Sequence, residues 1–245
     1  MALANLIEKK ANLPPVIVLY GDAGAGKSTL GTTFPSPIFL DLDNGLRAFD
    51  VPSIPIDTAE KLEEAVSALE TEEHEFKTIV VDTIDEVETI YTPVVLKELN
   101  VTSLMNTKWG VGYTARSEKV NAIFDRIVAL RTKGIIPVFL AHSQIITIST
   151  PEVPAYNFRT LKLQKVASTH IVEKADLVGY VGNTLIVDTN KNAIEDTERA
   201  IQIGYSPAHL SKARVLNAPE ELPMNGKAVI KLFIKKSEKA GEKNE

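Results

Sequence analysis

The chain has 245 residues, 44% of them hydrophobic and 24% charged, which is enough for one large α/β domain with a sizeable core. Its formal net charge of −5 gives no support for nucleic-acid binding through bulk charge, so such binding would need a local basic surface. The absence of cysteine excludes disulfides, thiolate zinc sites and cysteine nucleophiles. No apolar run approaches the roughly 20 residues of a membrane span, and the first 12 residues lack a signal-peptide core. We therefore expect a cytoplasmic protein with no membrane partner.

Buried strands alternate with helices over the first half of the sequence. Runs of apolar and β-branched residues predict strands, and apolar residues spaced three or four apart predict helices. Asp57 is expected to cap one helix, with Glu60 closing a capping box, and Pro35 must end another. The predicted elements are strands at 16–20, 38–40 and 78–81, a short helix from Ser28, and helices at 57–70 and about 85–99.

The second half predicts one long helix, a fourth buried strand and a β-rich end. Pro151 and Pro154 lie among polar residues and indicate a long exposed loop over 145–165. Gly182 and Asn183 indicate the turn of a hairpin. The predicted elements are a loop at 100–112, a helix at 114–133 ended by Gly134, strands at 135–141, 178–181, 185–187, 200–203 and 228–234, and a charged, disordered tail from Lys235. The predicted fold class is α/β, with a mainly parallel sheet flanked by helices and an antiparallel β extension near the C-terminus.

One motif carries specific chemistry. The segment from Gly21 to Ser28 matches the P-loop pattern in full, between a predicted strand and a predicted helix. Its glycines allow backbone N–H groups to surround phosphate oxygens, and the helix N-terminus adds its dipole. Lys27 is expected to neutralise the β- and γ-phosphates and Ser28 to bind Mg²⁺. A chance match is about a 1% event in a chain of this length. The predicted nucleotide-binding residues are Gly21, Asp22, Ala23, Gly24, Ala25, Gly26, Lys27, Ser28 and Thr29.

Acidic residues follow two of the predicted strands. Asp82 ends the third strand, where a P-loop needs a second group on the magnesium side, and we predict this Walker B role for it. Asp85 is a rival for that role, and otherwise caps the next helix. Asp41 and Asp43 end the second strand, where a carboxylate would orient or deprotonate the attacking water. The alternative is turn chemistry, because Asp43 is followed by Asn44 and a glycine.

Polar residues also end the fourth predicted strand. At the carboxyl edge of a parallel sheet such side chains face the ligand crevice. His142 or Gln144 is therefore predicted to sense the γ-phosphate. The alternative is that these side chains only complete the hydrogen bonding of a strand terminus.

Taken together, four segments resemble the phage-encoded RecA-like ATPases, the group that includes single-strand annealing proteins of phage recombination systems. The segments are FLDLDNG at 39–45, VVDT at 80–83, WGVGY at 109–113 and FLAH at 139–142. The resemblance covers roughly residues 14–217 and implies a single RecA-like ATPase domain over 1–235, with a tail at 236–245. It also implies ATP and Mg²⁺ as cofactors, and a homo-oligomer, ring or filament, on single-stranded DNA. A single-strand-binding protein as partner, and a phage protein acting in the cytoplasm of the bacterial host, follow from the same resemblance.

The resemblance assigns two further catalytic features. RecA-like proteins place a catalytic glutamate at the position of Asp43, and the shorter aspartate leaves the rate of hydrolysis open. Lys212 and Arg214 are similar to a Lys-x-Arg element that reaches the γ-phosphate of a neighbouring subunit. The alternative for this pair is an ordinary charged surface.

DNA-binding loops are implied at about 100–116 and 145–168. Aromatic and basic residues together can stack bases and hold phosphates. The alternative is that Trp109 and Tyr113 only anchor their loop by packing. The implied DNA contacts are Lys108, Trp109, Tyr113 and Arg116 in the first loop, and Arg159, Lys162 and Lys165 beside Tyr156 and Phe158 in the second.

Two other functions remain open. The aspartate at position 43 favours a nucleotide-gated assembly or packaging factor with weak hydrolysis. A small-molecule or nucleotide kinase would need an arginine-rich lid over an acceptor pocket, and the sequence has no such segment.

Overall fold

The computed structural model describes residues 13–151, 154–187 and 193–241. The strands in these ranges are β1 (Ile17–Gly21), β2 (Pro37–Asp41), β3 (Ser53–Pro55), β4 (Thr78–Asp82), β5 (Ile136–Ile148), β6 (Tyr156–Leu161), β7 (Leu177–Val187), β8 (Ala193–Gln202), β9 (Lys212–Ala213) and β10 (Glu221–Pro223). The helices are α1 (Lys27–Thr32), α2 (Ala59–Thr71), α3 (Ile84–Glu98), α4 (Val111–Ala129), α5 (Lys165–Lys174) and α6 (Gly226–Gly241). None of the helices within these ranges has the length and apolarity that crossing a membrane requires.

The strands form one sheet in the order β10-β8-β7-β1-β5-β4-β2-β3. The pairs from β7 to β3 are parallel, whereas β8 and β10 run antiparallel at one edge. This arrangement confirms the predicted fold class. Gly21 of β1 is opposite His142 of β5, and Asp41 of β2 is opposite Asp82 of β4. Because parallel strands end at a common edge, the sheet brings these four residues together.

Helices cover both faces of the sheet. Alternate β1 residues point to opposite faces, so that Val18 and Tyr20 join the core beneath α2 to α5, while Ile17 and Leu19 join the core beneath α1 and α6. Strands buried on both faces have continuous apolar sequences, which is why the central strands could be predicted from short apolar runs.

The prediction of an exposed loop over 145–165 is wrong. β5 continues past the sheet edge to Ile148 and pairs antiparallel with β6, forming a two-stranded ribbon. The β-branched residues of this segment favour extended backbone, whereas the two prolines on which the prediction rested, Pro151 and Pro154, lie between the strands. α5 follows the ribbon and was not predicted.

Two predictions near the C-terminus are also wrong. Gly182 and Asn183 lie inside the continuous strand β7, with a register shift after Asn183 in place of a turn. The strand predicted at 228–234 is part of α6, which packs the buried Val229 against the sheet. Asn225 caps this helix through its side-chain oxygen. The backbone remains helical to Gly241 within the predicted tail, and residues 242–245 lie outside the described residues.

Smaller differences concern helix starts. Thr58 caps α2, accepting a hydrogen bond from the Lys61 N–H at 3.2 Å, whereas Asp57 pairs with the Lys61 ammonium. α4 begins three residues earlier than predicted, after two short 3-10 helices within the predicted loop.

Candidate nucleotide-binding site

The P-loop connects the end of β1 to the start of α1. Gly24 and Gly26 have φ values of 76° and 91°, a backbone region that favours glycine. A Cβ atom on Gly21 would lie 2.3 Å from the Val181 carbonyl oxygen, so β7 packs too closely for any side chain there. The strand, loop and helix therefore have the geometry that the motif predicts.

Lys27 is buried at the centre of this loop. Its ammonium donates hydrogen bonds to the carbonyl oxygens of Gly21 at 3.1 Å and Asp22 at 3.0 Å. Burial lowers the pKa of this ammonium, and the nearby carboxylates of Asp82 and Asp85 act in the opposite direction. A buried cation within a glycine-rich phosphate-binding motif is suited to phosphate.

Asp82 and Asp41 are neighbouring buried carboxylates, and Asp82 interacts with Ser28. Burial raises the pKa of Asp82, while its interaction with Ser28 lowers it. Oδ2 of Asp82 and Oδ1 of Asp41 are buried without a hydrogen-bond partner. Hard oxygen ligands of this kind fit Mg²⁺, which is often held by one or two carboxylates together with substrate phosphates. No group of three or more metal-ligating side chains is found in the described part of the chain. The residues thus fit a magnesium ion that is completed by a bound nucleotide.

Asp85 holds His142 at the edge of the sheet. Its Oδ1 accepts the backbone N–H of His142 at 2.8 Å, and its Oδ2 lies 2.7 Å from His142 Nδ1. The other ring nitrogen of His142 lies 3.9 Å from the Asp43 carboxylate. The N-cap residue of α3 is Thr83, so Asp85 does not cap this helix, and its contacts with His142 favour Asp82 over Asp85 for the Walker B role. Its role in holding His142 was not predicted from the sequence.

Asp43 lies just beyond β2, with its side chain half exposed. The carbonyl of Asp82 accepts its backbone N–H at 3.2 Å, which fixes its position beside β4. Asn44 follows with a φ of 53°, so the turn chemistry considered for this segment is also present. The two alternatives are therefore compatible.

The side chain of Gln144 points towards β6. Its amide donates to the Leu161 carbonyl oxygen at 2.8 Å. This contact favours the alternative in which Gln144 completes a strand terminus. The neighbouring Ser143 hydroxyl donates to Asp22, which also pairs with Arg159 of β6 at 2.8 Å. The side chain of Asp22 therefore connects the P-loop to the ribbon.

Lys212 and Arg214 lie at the end of the strands opposite to the P-loop. Lys212 pairs with the start of β7, whereas the P-loop follows the end of the parallel strand β1. The Lys212 ammonium donates to the carbonyl oxygens of Val172 at 2.6 Å and Glu173 at 2.9 Å, near the end of α5. Arg214 also donates to Glu173. Within one chain both cations therefore stabilise a helix C-terminus, and their action on a neighbouring subunit stays a prediction.

The residues predicted to bind DNA fall into two groups. Lys108, Trp109, Lys162 and Lys165 are exposed. The other three make contacts within the protein: Arg116 pairs with Glu88 at 2.8 Å, Tyr113 lies beneath the Arg116 guanidinium, and Arg159 pairs with Asp22. The positions of this second group favour structural roles.

The parallel sheet, the complete P-loop and the buried carboxylate on β4 define a P-loop nucleoside triphosphatase. A comparison with protein-family models matches residues 13–215 to the family described as AAA domain, and the chain belongs to that family. It is therefore a P-loop ATPase, and members of this class generally use ATP with Mg²⁺. A search of curated proteins found no match.

Proposed function

We propose that this protein is an ATPase of phage DNA recombination that binds or anneals single-stranded DNA as a homo-oligomer, and that this DNA stimulates hydrolysis. The observation that carries the proposal is the position of Glu88 on α3. Its Oε2 accepts a hydrogen bond from Arg116 at 2.8 Å, and its Oε1 accepts the backbone N–H of Gln164 at 2.9 Å. The two segments assigned to DNA binding are thereby joined at one point.

The exposed side chains around this point have the chemistry that single strands require. Lys108 and Trp109 precede α4, while Lys162 and Lys165 flank Gln164. Trp109 is 98% exposed and has a φ of 57°, so its ring projects without packing against the protein. Lysines can hold the phosphates while an exposed indole stacks on a base, which suits binding that does not depend on sequence.

The site supports hydrolysis as well as binding. In the proposed reaction Asp43 takes a proton from the water that attacks the γ-phosphorus, the bond from that phosphorus to the β–γ bridging oxygen breaks, and ADP and phosphate leave. His142, held by Asp85, stabilises the charge that develops on the γ-phosphate. A bound Mg²⁺, held by Ser28 and Asp82, would neutralise charge on the phosphates. Lys27 is the cation placed at the centre of the phosphate-binding loop.

The remaining parts of the proposal rest on the resemblance to phage RecA-like ATPases. They are assembly into a ring or filament, action of Lys212 and Arg214 on a neighbouring nucleotide, a single-strand-binding protein as partner, and a location in the host cytoplasm. A trans role requires these two side chains to leave the α5 carbonyls that they contact within one chain.

ATP turnover with and without a single-stranded oligonucleotide tests the proposal. We compare wild type with Trp109→Ala and with the control Leu216→Ala. Leu216 is another highly exposed apolar residue, and it lies outside the two segments assigned to DNA binding. Stimulation by DNA is expected in wild type and Leu216→Ala and should be reduced in Trp109→Ala. If DNA neither stimulates wild type nor binds to it in ATP, the DNA role is overturned and the assembly factor is favoured. Turnover that requires a small acceptor would favour the kinase.

A further inference from the structure

The order of the strands predicts how a bound nucleotide is oriented across the P-loop. β5, β4 and β2 lie on one side of β1; His142 is on β5, Asp82 ends β4, and Asp43 follows the end of β2. The terminal phosphate must face these groups if they are to act on it. The α-phosphate and the nucleoside must therefore extend towards the other side of β1, where β7 and β8 lie.

A cavity of about 510 Å³ lies on that side, directly beside the P-loop. Residues 22–25 form one wall, and the others are formed by 180–183 in the middle of β7, by the end of β8, by the loop 204–209, and by Glu220 and Glu221. Its volume is within the range of about 300–1,000 Å³ that small-molecule sites have. The cavity is continuous with the P-loop, so one ligand can occupy both.

Arg199 of β8 reaches from this cavity to the P-loop. One of its terminal nitrogens lies 3.5 Å from the position that a Cβ on Gly26 would occupy. Among the described residues it has no carboxylate partner, in contrast to Arg159, which Asp22 neutralises. An exposed guanidinium beside a phosphate-binding loop is suited to a phosphate oxygen.

Tyr205 supplies an aromatic surface at the same cavity. Its side chain is 92% exposed, so it packs against little of the protein. The Tyr180 ring, also in the cavity wall, already contacts His209 at 5.3 Å and the Arg159 guanidinium at 5.6 Å. Tyr205 is therefore the wall residue with an aromatic face available for a flat ligand.

We propose that this cavity binds the nucleoside end of a purine nucleoside triphosphate, with Arg199 on the α-phosphate and Tyr205 stacked on the base. The inference rests on the proposed function, because it takes the terminal phosphate to lie at Asp43 and Asp82. A purine offers the larger ring surface for stacking.

Binding of Mg-ATP and of inorganic tripolyphosphate with Mg²⁺, measured by calorimetry on the full chain, tests the proposal. The variants are Tyr205→Ala and Arg199→Gln, with Leu216→Ala and Lys231→Gln as controls on exposed surface elsewhere. Tyr205→Ala should weaken ATP binding by about 10-fold and leave tripolyphosphate binding unchanged. Arg199→Gln should weaken both ligands, and the two controls should weaken neither.

The outcomes separate this inference from the function on which it rests. If wild type binds neither ATP nor tripolyphosphate, the proposed function fails first and the inference falls with it. If wild type binds both ligands with equal affinity, or if Tyr205→Ala binds ATP as wild type does, the phosphate site stands and the nucleoside site is overturned.

Discussion

Asp85 and Glu88 lie three residues apart on α3, and each holds a different part of the protein. Asp85 accepts the backbone N–H of His142 at 2.8 Å beside the nucleotide site. Glu88 accepts hydrogen bonds from Arg116 and from the N–H of Gln164, at the base of the proposed DNA surface. Residues at this spacing are neighbours on one helix face. One turn of α3 therefore links the two regions whose coupling the proposed function requires.

Replacing Asp85 tests whether the orientation of His142 matters for hydrolysis. Asp85→Asn removes the charge and one of the two acceptor oxygens, so kcat should fall by about 10-fold or more while ATP affinity changes little. Single-turnover hydrolysis and equilibrium ATP binding separate these effects. Asp125→Asn is the matched control, because Asp125 pairs with His170 at 2.9 Å between α4 and α5. Equal kcat values in wild type and both variants would mean that the orientation of His142 by Asp85 does not contribute to hydrolysis.

Asp82→Asn should stabilise the nucleotide-free protein and abolish its stabilisation by Mg-ATP. Burial raises the pKa of Asp82, so the stability linked to its protonated form is present below the unfolded pKa and lost as pH rises through the folded pKa. The gain in Tm over wild type should therefore be larger at pH 7 than at pH 4. Each kcal/mol corresponds to about 2–4 °C for a chain of this size. Asp50→Asn, at an exposed position, should show neither effect, and a lower Tm for Asp82→Asn without nucleotide would contradict the account.

Arg116→Ala tests whether this residue is structural. Both side chains of the Arg116–Glu88 pair are largely buried, so removing the arginine leaves a buried carboxylate unpaired and should cost about 3–5 kcal/mol. Lys119→Ala breaks an exposed pair with Glu98 and should cost about 1 kcal/mol or less. Urea unfolding measures both values. If both variants lose the same small amount of unfolding free energy, a DNA-binding role for Arg116 is favoured over a structural one.

The salt dependence of oligonucleotide binding tests the exposed lysines. Each phosphate contact contributes about −0.7 to the slope of log K against log salt for single strands. Replacing Lys108, Lys162 and Lys165 with glutamine should therefore make the slope less steep by about 2. The control replaces three exposed lysines elsewhere: Lys97, Lys227 and Lys231. An equal change in both triple variants would mean that binding follows overall charge.

The contacts of Asp22 predict an acid-sensitive link between the P-loop and the ribbon. The Ser143 hydroxyl and Arg159 hold the pKa of Asp22 below its usual value. The stability that Asp22 contributes is therefore present above its unfolded pKa and is lost as pH falls through its folded pKa. The difference in Tm between wild type and Asp22→Asn should be full at pH 7 and should close below about pH 4. A difference that stays constant from pH 7 to pH 3 would exclude this link.

The sequence predicted the centre of the fold better than its edges, for a physical reason. β1, β2 and β4 are buried on both faces and appear as short apolar runs. The segment at 228–234 has similar residues, but its apolar positions also fit a helix period, and packing against the sheet decides for α6. The ribbon of β5 and β6 was missed because its two prolines lie in the connection between the strands.

The features of the candidate site also differ in how well the sequence predicted them. The P-loop is one continuous motif, so the sequence alone was sufficient for it. The contact between Asp85 and His142 joins residues 57 positions apart, and no local pattern indicates it. The position of Arg199 beside Gly26 depends on the antiparallel pairing of β8 with β7, whereas the sequence predicts a shorter hairpin within β7.

Mg-ATP binding and hydrolysis by wild type and Lys27→Ala test the central claim most directly. Lys61→Ala, which breaks an exposed ion pair on α2, is the control. Because charge-assisted hydrogen bonds contribute about 1.5–3 kcal/mol, Lys27→Ala should bind ATP about 10- to 150-fold more weakly and lose turnover, while the control behaves as wild type. Undiminished ATP binding and turnover in Lys27→Ala would contradict the assignment of this loop as the nucleotide site.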